Sequence, residues 1–429
     1  MQTAHLKQLL TQGGYNTAFT TLYGTGDIKI QAQTVRYAAA ADRFDALFGK
    51  GREVMLFSAP GRTEIGGNHT DHQRGRVLAA AVNLDVIAVV SINQDNVIRI
   101  KSEGYDMDAV PLTVLAPNPS ERGSSASLIR GIAARFSALG YRIGGFDAYT
   151  TSDVLSGSGL SSSAAFEVLV GTILNYLYNK GTITAPVIAQ IGQYAENDYF
   201  GKPCGLMDQT ASAVGGFVSI DFENPAHPVI EQVAFDLASS DYALCIVNTG
   251  GSHADLTADY AAVPAEMKAV AGQFGKQHLR EVPEETFYAQ IGGLRDKVSD
   301  RAILRAVHFF DDNARVSEQA KALEDGDMVQ FLRLVTASGR SSFQYLQNVY
   351  SPKQTAKQGL SLALSLSERI LGEHGAWRVH GGGFAGTVQA FVPTELLAQY
   401  KQQMERVFGD GACHVLSVRR VGSVCVMPE

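Results

Sequence analysis

SGSGLSSSAA, residues 156–165, lies between FDAYTTSDVL (146–155), which reads as a strand, and SSAAFEVLVGTILNYLY (162–178), which reads as a helix. Glycines at a strand-to-helix junction let the backbone approach a ligand closely, and the free N–H groups and positive dipole end of the helix start make an anion site there. The three serines Ser161, Ser162 and Ser163 add hydroxyls suited to phosphate oxygens or to a magnesium ion. The plain alternative is a flexible turn in which a serine caps the helix. Two familiar phosphate loops are excluded at this junction: GxxxxGK[ST] occurs nowhere, and GxGxxG fails here because Ser162 stands at the third glycine. The acidic residue that a ribose-binding dinucleotide fold wants about twenty positions further on is also missing, which sets a dehydrogenase aside.

Outward from this junction, the β-type runs VMLFSA (54–59), VLAAAVNLDVIAVVSIN (77–93) and NVIRIKSE (96–103) precede it, and GGFVSIDF (215–222) and YALCIVNT (242–249) follow. Helices are expected over residues 1–50, 125–139 and 186–200, and in the second half over 255–274 and 300–375, where apolar residues recur at helical spacing. Strands around WRVHGGG (377–383), GTVQAFV (386–392) and CHVLSVRRV (413–421) close the chain. The shift in element order divides it into a helical lead-in at 1–52, an N-terminal domain at 53–235 and a C-terminal domain at 236–429.

Composition bounds the function classes. A chain of 429 residues exceeds the size at which one core stops growing, so two domains are expected. With 45% hydrophobic and 18% charged residues, disordered and fibrous classes drop out. A net charge of −7 gives no electrostatic reason to expect nucleic acid or an anionic membrane as partner, and nothing calls for an obligate protein partner. Cys204, Cys245, Cys413 and Cys425 are widely spread with no CxxC, against both a disulfide framework and a thiolate zinc site. The first residues lack the apolar core and cleavage site of a signal peptide, and the most apolar stretch, 77–92, is too short and too interrupted for a membrane helix. The expected location is cytoplasmic.

Three further constellations carry possible chemistry. GRTEIGGNHTDH (61–72) crowds cation, amide, imidazole and carboxylate beside glycines, a mixture suited to recognising hydroxyls; a metal site of His69, Asp71 and His72, or a solvated turn, are the alternatives. ENDYFG (196–201) followed by CGLMDQ (204–209) supplies two carboxylates, Glu196 and Asp208, which suit a magnesium ligand and a general base or, more plainly, surface and capping charges. HGGGFAG (380–386) sits between strand-like runs, where a simple turn would also fit.

Taken together, in this order and at these separations, the four segments resemble the signatures of the galactose/homoserine/mevalonate/phosphomevalonate (GHMP) kinase superfamily, most closely those of the galactokinases, over residues 55 to 425. The family's GR, four residues, GEHTDY is met by GRTEIGGNHTDH. Its GxGLSSSAA is matched in full by Gly157 to Ala165, its ENxFxG…CGxMDQ by Glu196 to Gln209 with Tyr199 for Phe, and its GGGFGG by Gly381 to Gly386 with Ala385 substituted.

The resemblance implies a two-domain α+β fold of the GHMP kinase type with ATP and sugar meeting in the cleft. It implies ATP-dependent phosphorylation of galactose at the anomeric C1 hydroxyl, giving galactose 1-phosphate and ADP. On the same ground Gly157, Ser158, Gly159, Leu160, Ser161, Ser162 and Ser163 would wrap the ATP phosphates, braced by Gly382 and Gly383, and Ser162 and Glu196 would hold Mg2+. Asp208 would take the proton from the anomeric hydroxyl beside Arg62, while Asn68, His69, Asp71, Gly205 and Tyr260 would bind sugar hydroxyls. Asn68 replaces a family Glu that holds the C6 hydroxyl, which opens galacturonate or another galactose-like sugar as alternative substrates. His72 replaces a Tyr, Ala261 an Asn, and His253 stands at or near a basic position. An alternative of another class is a non-catalytic sugar and ATP sensor, against which the complete GLSSSAA and the presence of Arg62, Glu196 and Asp208 argue.

Overall fold

The longest apolar run of the sequence becomes the spine of the larger of two sheets in the computed structural model, which describes residues 1–154, 159–251 and 256–429. The chain opens with three helices, α1 (Thr3–Thr11), α2 (Asn16–Tyr23) and α3 (Asp27–Phe48). Next come β1 (Met55–Gly66), β2 (Arg76–Ile92), β3 (Val97–Ser102), β4 (Met107–Pro111), α4 (Ser125–Ala138) and β5 (Phe146–Ser152). After these follow α5 (Ser162–Asn179), α6 (Ala185–Tyr194), α7 (Met207–Val214), β6 (Phe217–Asp221) and β7 (Val229–Val233). The second half contains β8 (Tyr242–Asn248), α8 (Thr257–Gln273), α9 (Glu284–Leu294), α10 (Asp300–Glu324), α11 (Met328–Ser341) and α12 (Gly359–Leu371). It ends with β9 (Ala376–His380), β10 (Thr387–Pro393), α13 (Leu397–Phe408), β11 (Cys413–Leu416) and β12 (Val424–Val426).

The larger sheet runs β12-β1-β2-β5-β3-β4, with β6 on the first half of β2 and β7 beyond it. Its neighbours are antiparallel except β3 and β5. β12, from the far end of the chain, thus joins a sheet otherwise built before residue 235. The smaller sheet, β11-β8-β10-β9, is antiparallel throughout. The expected helix over 186–200 divides into α6 and a wide π-type turn at Ala195–Phe200, and the expected helical stretch over 300–375 resolves into α10, α11 and α12.

β2 shows no polar alternation because both of its faces are covered. Val86, Ala88 and Val90 point into the core shared with α4, α5 and α6, whereas Ile87 and Val89 pack with Leu56, Tyr149 and Val426 under Tyr37, Ala40, Ala41 and Phe44 of α3. The N-terminal helices are therefore the second layer over this sheet. Among the described residues no helix is long and apolar enough to cross a membrane.

A buried charge cluster ties these layers together. Asp85, fully buried on β2, accepts from Arg36 Nη1 at 2.6 Å, Arg419 Nη1 at 3.1 Å, Tyr23 OH at 2.7 Å and the Ser58 hydroxyl. Burial alone would raise its pKa, but the two guanidinium groups and these hydrogen bonds hold it below the ordinary carboxylate value. Its stabilising contribution is present above the unfolded carboxyl's pKa of about 3.9 and is lost as the pH falls through the lower folded value. Asp85→Asn leaves two cations facing a neutral amide and is expected to lower the unfolding free energy by about 3–5 kcal/mol in urea titrations at pH 7; a loss below about 1 kcal/mol, the range of an exposed pair, would contradict this account.

Candidate active site

The site is assembled from β1, the start of α5 and the start of α7. β1 breaks register against β2 between Pro60 and Arg62 and again between Glu64 and Gly66, and such irregularities re-aim side chains. Arg62 is the residue so presented. Its backbone N–H donates to Leu160 O at 3.0 Å, and a Cβ on Gly61 would stand 2.9 Å from that same oxygen, so only glycine permits this approach. The Arg62 guanidinium donates through Nη1 to Gly159 O and in two parallel bonds to Asp208, Nε to Oδ1 at 2.7 Å and Nη2 to Oδ2 at 2.5 Å.

Ser161 stands in the left-handed region at φ 55°, a strained setting for a residue with a side chain, just before α5. Its hydroxyl donates to Asp208 Oδ2 at 2.7 Å. Asp208 lies in the first turn of α7. Burial would raise its pKa, but the charge and hydrogen bonds of Arg62 and the bond from Ser161 hold it below the usual value, so the carboxylate is ionised at neutral pH. Gly157 and Ser158, and also His253, lie outside the described residues.

Glu196 sits almost fully buried in the π-type turn after α6. Gln209 Nε2 lies 2.9 Å from Glu196 Oε2 and 2.9 Å from Glu167 Oε2, and Lys202 Nζ stands 3.2 Å from Glu196 Oε1. Burial, then the charge of Glu196, pushes the Glu167 pKa well above the carboxylate range, and among the described residues Glu167 Oε1 has no hydrogen-bond partner. Glu167 and Lys202 escaped the sequence reading. The available signal was a lone acid in the otherwise apolar start of α5. Beside Ser162 and Ser163 opens a cavity of about 630 Å³ walled by Phe166, Leu128, Val154 and Phe200, with Tyr105 and Glu103 at its rim. Apart from Phe200 in ENDYFG and the two serines, these residues belong to no recognisable motif.

Of the residues expected to face a sugar, Asp71 and Gly205 are brought together, since a Cβ on Gly205 would stand 2.6 Å from Asp71 Oδ2. His69, buried and at φ 60°, approaches Gly382 O through Nε2 at 3.0 Å. A carbonyl only accepts, so the proton is on Nε2, and Nδ1, unpartnered among the described residues, remains an acceptor. Burial, then the neighbouring His72, lowers the His69 pKa to about 4, so the ring is neutral at pH 7. Tyr260 OH donates to Gly383 O at 2.7 Å.

Asn68 departs from expectation and is turned inward. Its Nδ2 donates to Glu64 Oε1 at 2.9 Å and Gly381 O at 2.7 Å, and its Oδ1 accepts from Asn348 Nδ2 at 2.7 Å, which leaves this fully buried amide no free group for a ligand. The physical reason is that Glu64, itself paired with the buried Arg378 at 2.7 Å, offers an acceptor that an amide can satisfy and a second carboxylate would repel.

Comparison with known proteins gives this geometry its family. The description "GHMP kinases N terminal domain" matches residues 126–216, and "Galactokinase galactose-binding signature" matches residues 42–92. The chain is similar to a galactokinase of Streptomyces coelicolor, 32% identical over 354 residues that span 82% of this chain and 87% of the relative. Among solved structures it resembles the galactokinase of Lactococcus lactis complexed with galactose, with a TM-score of 0.76 at 24% identity over 91% of this chain and 99% of the other. The mevalonate kinase of Methanococcus jannaschii shares the fold, with a TM-score of 0.61 at 16% identity over 85% and 98%. The likeness in sequence extends over most of both chains, and the chain belongs to the galactokinase family of the GHMP kinases.

Proposed function

We propose that the protein transfers the γ-phosphoryl group of ATP to the C1 hydroxyl of galactose, producing galactose 1-phosphate and ADP. The observation that carries this reading is the contact of Asp208 with both Arg62 and Ser161: an ionised carboxylate, a fixed cation and the turn that precedes α5 meet on one pair of oxygens. Family membership makes the protein a sugar kinase, and the match to the galactose-binding signature favours galactose over galacturonate. With Asn68 turned inward, its neutrality gives no special welcome to a carboxylate at C6.

In this reading the sugar lies against Asp71, Gly205, the Nδ1 of His69 and Tyr260, with its C1 hydroxyl toward Asp208. Asp208 accepts the hydroxyl proton as the oxygen attacks phosphorus. Arg62 keeps Asp208 ionised and faces the charge that spreads over the transferring phosphoryl oxygens. The backbone N–H groups at the start of α5, from Ser161 onward, and the hydroxyls of Ser162 and Ser163 hold the phosphates, and the 630 Å³ cavity receives the base.

Ser162 and Glu196 suit magnesium, because their donors are hard oxygens and Glu167 Oε1 is a buried oxygen without a partner among the described residues. Among the described residues no three His, Cys, Asp or Glu side chains are placed to hold a metal ion by themselves, so phosphate and water would complete the shell, as this ion prefers. A magnesium ion held there would supply positive charge to the phosphates of ATP. A cytoplasmic location belongs to the same reading, supported by four cysteines that stand as free thiols.

With Mg-ATP and, separately, galactose, galacturonate, N-acetylgalactosamine, glucose and arabinose, ADP release is expected to be fastest with galactose, and mass measurement should find galactose 1-phosphate. Asp208→Ala should lose on the order of 10²–10⁴-fold in kcat. ATP binding without turnover of any sugar would overturn the catalytic reading in favour of a sensor.

The pH profile offers a second check. Wild-type kcat should stay level until the pH falls below the ordinary carboxylate range of about 4, because Asp208 titrates low. In Arg62→Leu the burial that raises the Asp208 pKa remains while the opposing charge is gone, so the acidic limb of the residual activity should move to higher pH. An unmoved limb would show that Arg62 does not control this carboxylate.

A further inference from the structure

His380 ends β9 and is 2% exposed, at the point where the phosphate side and the sugar side of the site meet. Its Nε2 lies 3.0 Å from Thr63 Oγ1 and accepts from the backbone N–H of Glu64 at 3.4 Å. Gln389 Nε2 donates to Thr63 Oγ1 at 2.7 Å, which directs the threonine's own proton to the imidazole. Both partners therefore require an unprotonated Nε2, and the ring proton sits on Nδ1, 2.9 Å from Thr387 Oγ1. The imidazole thus bridges β1 of the larger sheet to β10 of the smaller one.

The same ring lies beneath the turn that Arg62 grips. A Cβ on Gly159 would stand 3.1 Å from His380 Nδ1 and 3.2 Å from Cε1, in addition to the strain of a side chain at φ +74°. The carbonyl of Gly159 accepts from Arg62, that of Leu160 from the Arg62 backbone, and Ser161 reaches Asp208. On the opposite side, the three carbonyls that follow His380 meet the sugar loop and α8. Gly381 O accepts from Asn68 Nδ2 at 2.7 Å, Gly382 O from His69 Nε2 at 3.0 Å and Gly383 O from Tyr260 OH at 2.7 Å.

We infer that His380 is a positioning residue for phosphoryl transfer, which as a neutral Nδ1–H imidazole sets the Gly159–Ser161 turn and the Arg62–Asp208 pair in register with the sugar loop held by Gly381, Gly382 and Gly383. Its neutrality follows from its surroundings: burial, then the charges of Arg62 and Arg378, lowers its pKa to about 3. A cation here would face Arg62 and would lose the acceptor that Thr63 and Glu64 use. This inference rests on the reading of the site as a sugar kinase.

The test compares His380→Phe, which keeps a ring but none of these hydrogen bonds, with His380→Gln, which can return an acceptor close to where Nε2 stands. For each, kcat and both KM values are measured, together with the galactose Kd by calorimetry. Misplacing reacting groups by about 1 Å costs on the order of 10²-fold, so His380→Phe should lose 10- to 100-fold in kcat with galactose Kd within about twofold of wild type, and His380→Gln should recover part of the loss. Should the Phe variant fail to fold, Thr387→Val removes the partner of Nδ1–H and should lower kcat in the same direction, again with galactose binding retained. An unchanged kcat, or galactose binding lost in proportion to kcat, would overturn the inference. A wild-type protein inactive toward every sugar would overturn the kinase reading instead, so the two failures are distinguishable.

Discussion

The bidentate contact between Arg62 and Asp208 is the interaction on which the site depends. The two residues are 146 positions apart and come from different elements, the irregular end of β1 and the first turn of α7. Neither group is comfortable alone where it lies. The carboxylate is only partly in water, and the same guanidinium also holds the carbonyl of Gly159. Pairing keeps the carboxylate ionised, which is the state a proton acceptor needs, and ties that state to the position of the turn before α5. Charge state and geometry are thus set by a single contact.

Around this contact the protein buries several more charges, each against a partner from a distant element. Asp85 joins Arg36 of the N-terminal helices to Arg419 near the C-terminus, and Glu64 meets Arg378 between the two sheets. Burial raises the Glu64 pKa despite the pairing with Arg378, so this link is not a simple gain in stability. Its effect is one of registration: an unpaired charge is costly in the interior, so these pairs admit few alternative ways of seating one layer on another.

Asn68 and Asn348 show the neutral version of the same constraint. Their linked amides, with Gly381 and Gly382 as acceptors, fasten the segment that carries His69 and Asp71 to the turn after β9. A residue at a position that resembles a sugar contact has become part of the frame that supports the contact. The surrounding donors and acceptors, not the identity of residue 68 alone, decide that outcome.

By itself, the sequence determined the strand β5 and the helix α5 on either side of the glycine- and serine-rich segment, the long β2, and the motifs in which Arg62, Glu196 and Asp208 stand near glycines. Those features are local: periodicity, turn chemistry and the spacing within a motif survive without any knowledge of the fold. The tertiary structure alone decided which partners these residues meet. It turned Asn68 inward, put Glu167 and Lys202 beside Glu196, seated His380 under Gly159, brought β12 back to β1, and made the N-terminal helices a layer over the sheet. All of these depend on contacts between segments far apart in the chain, where the number of possible pairings is large and only close packing and the satisfaction of buried polar groups select one.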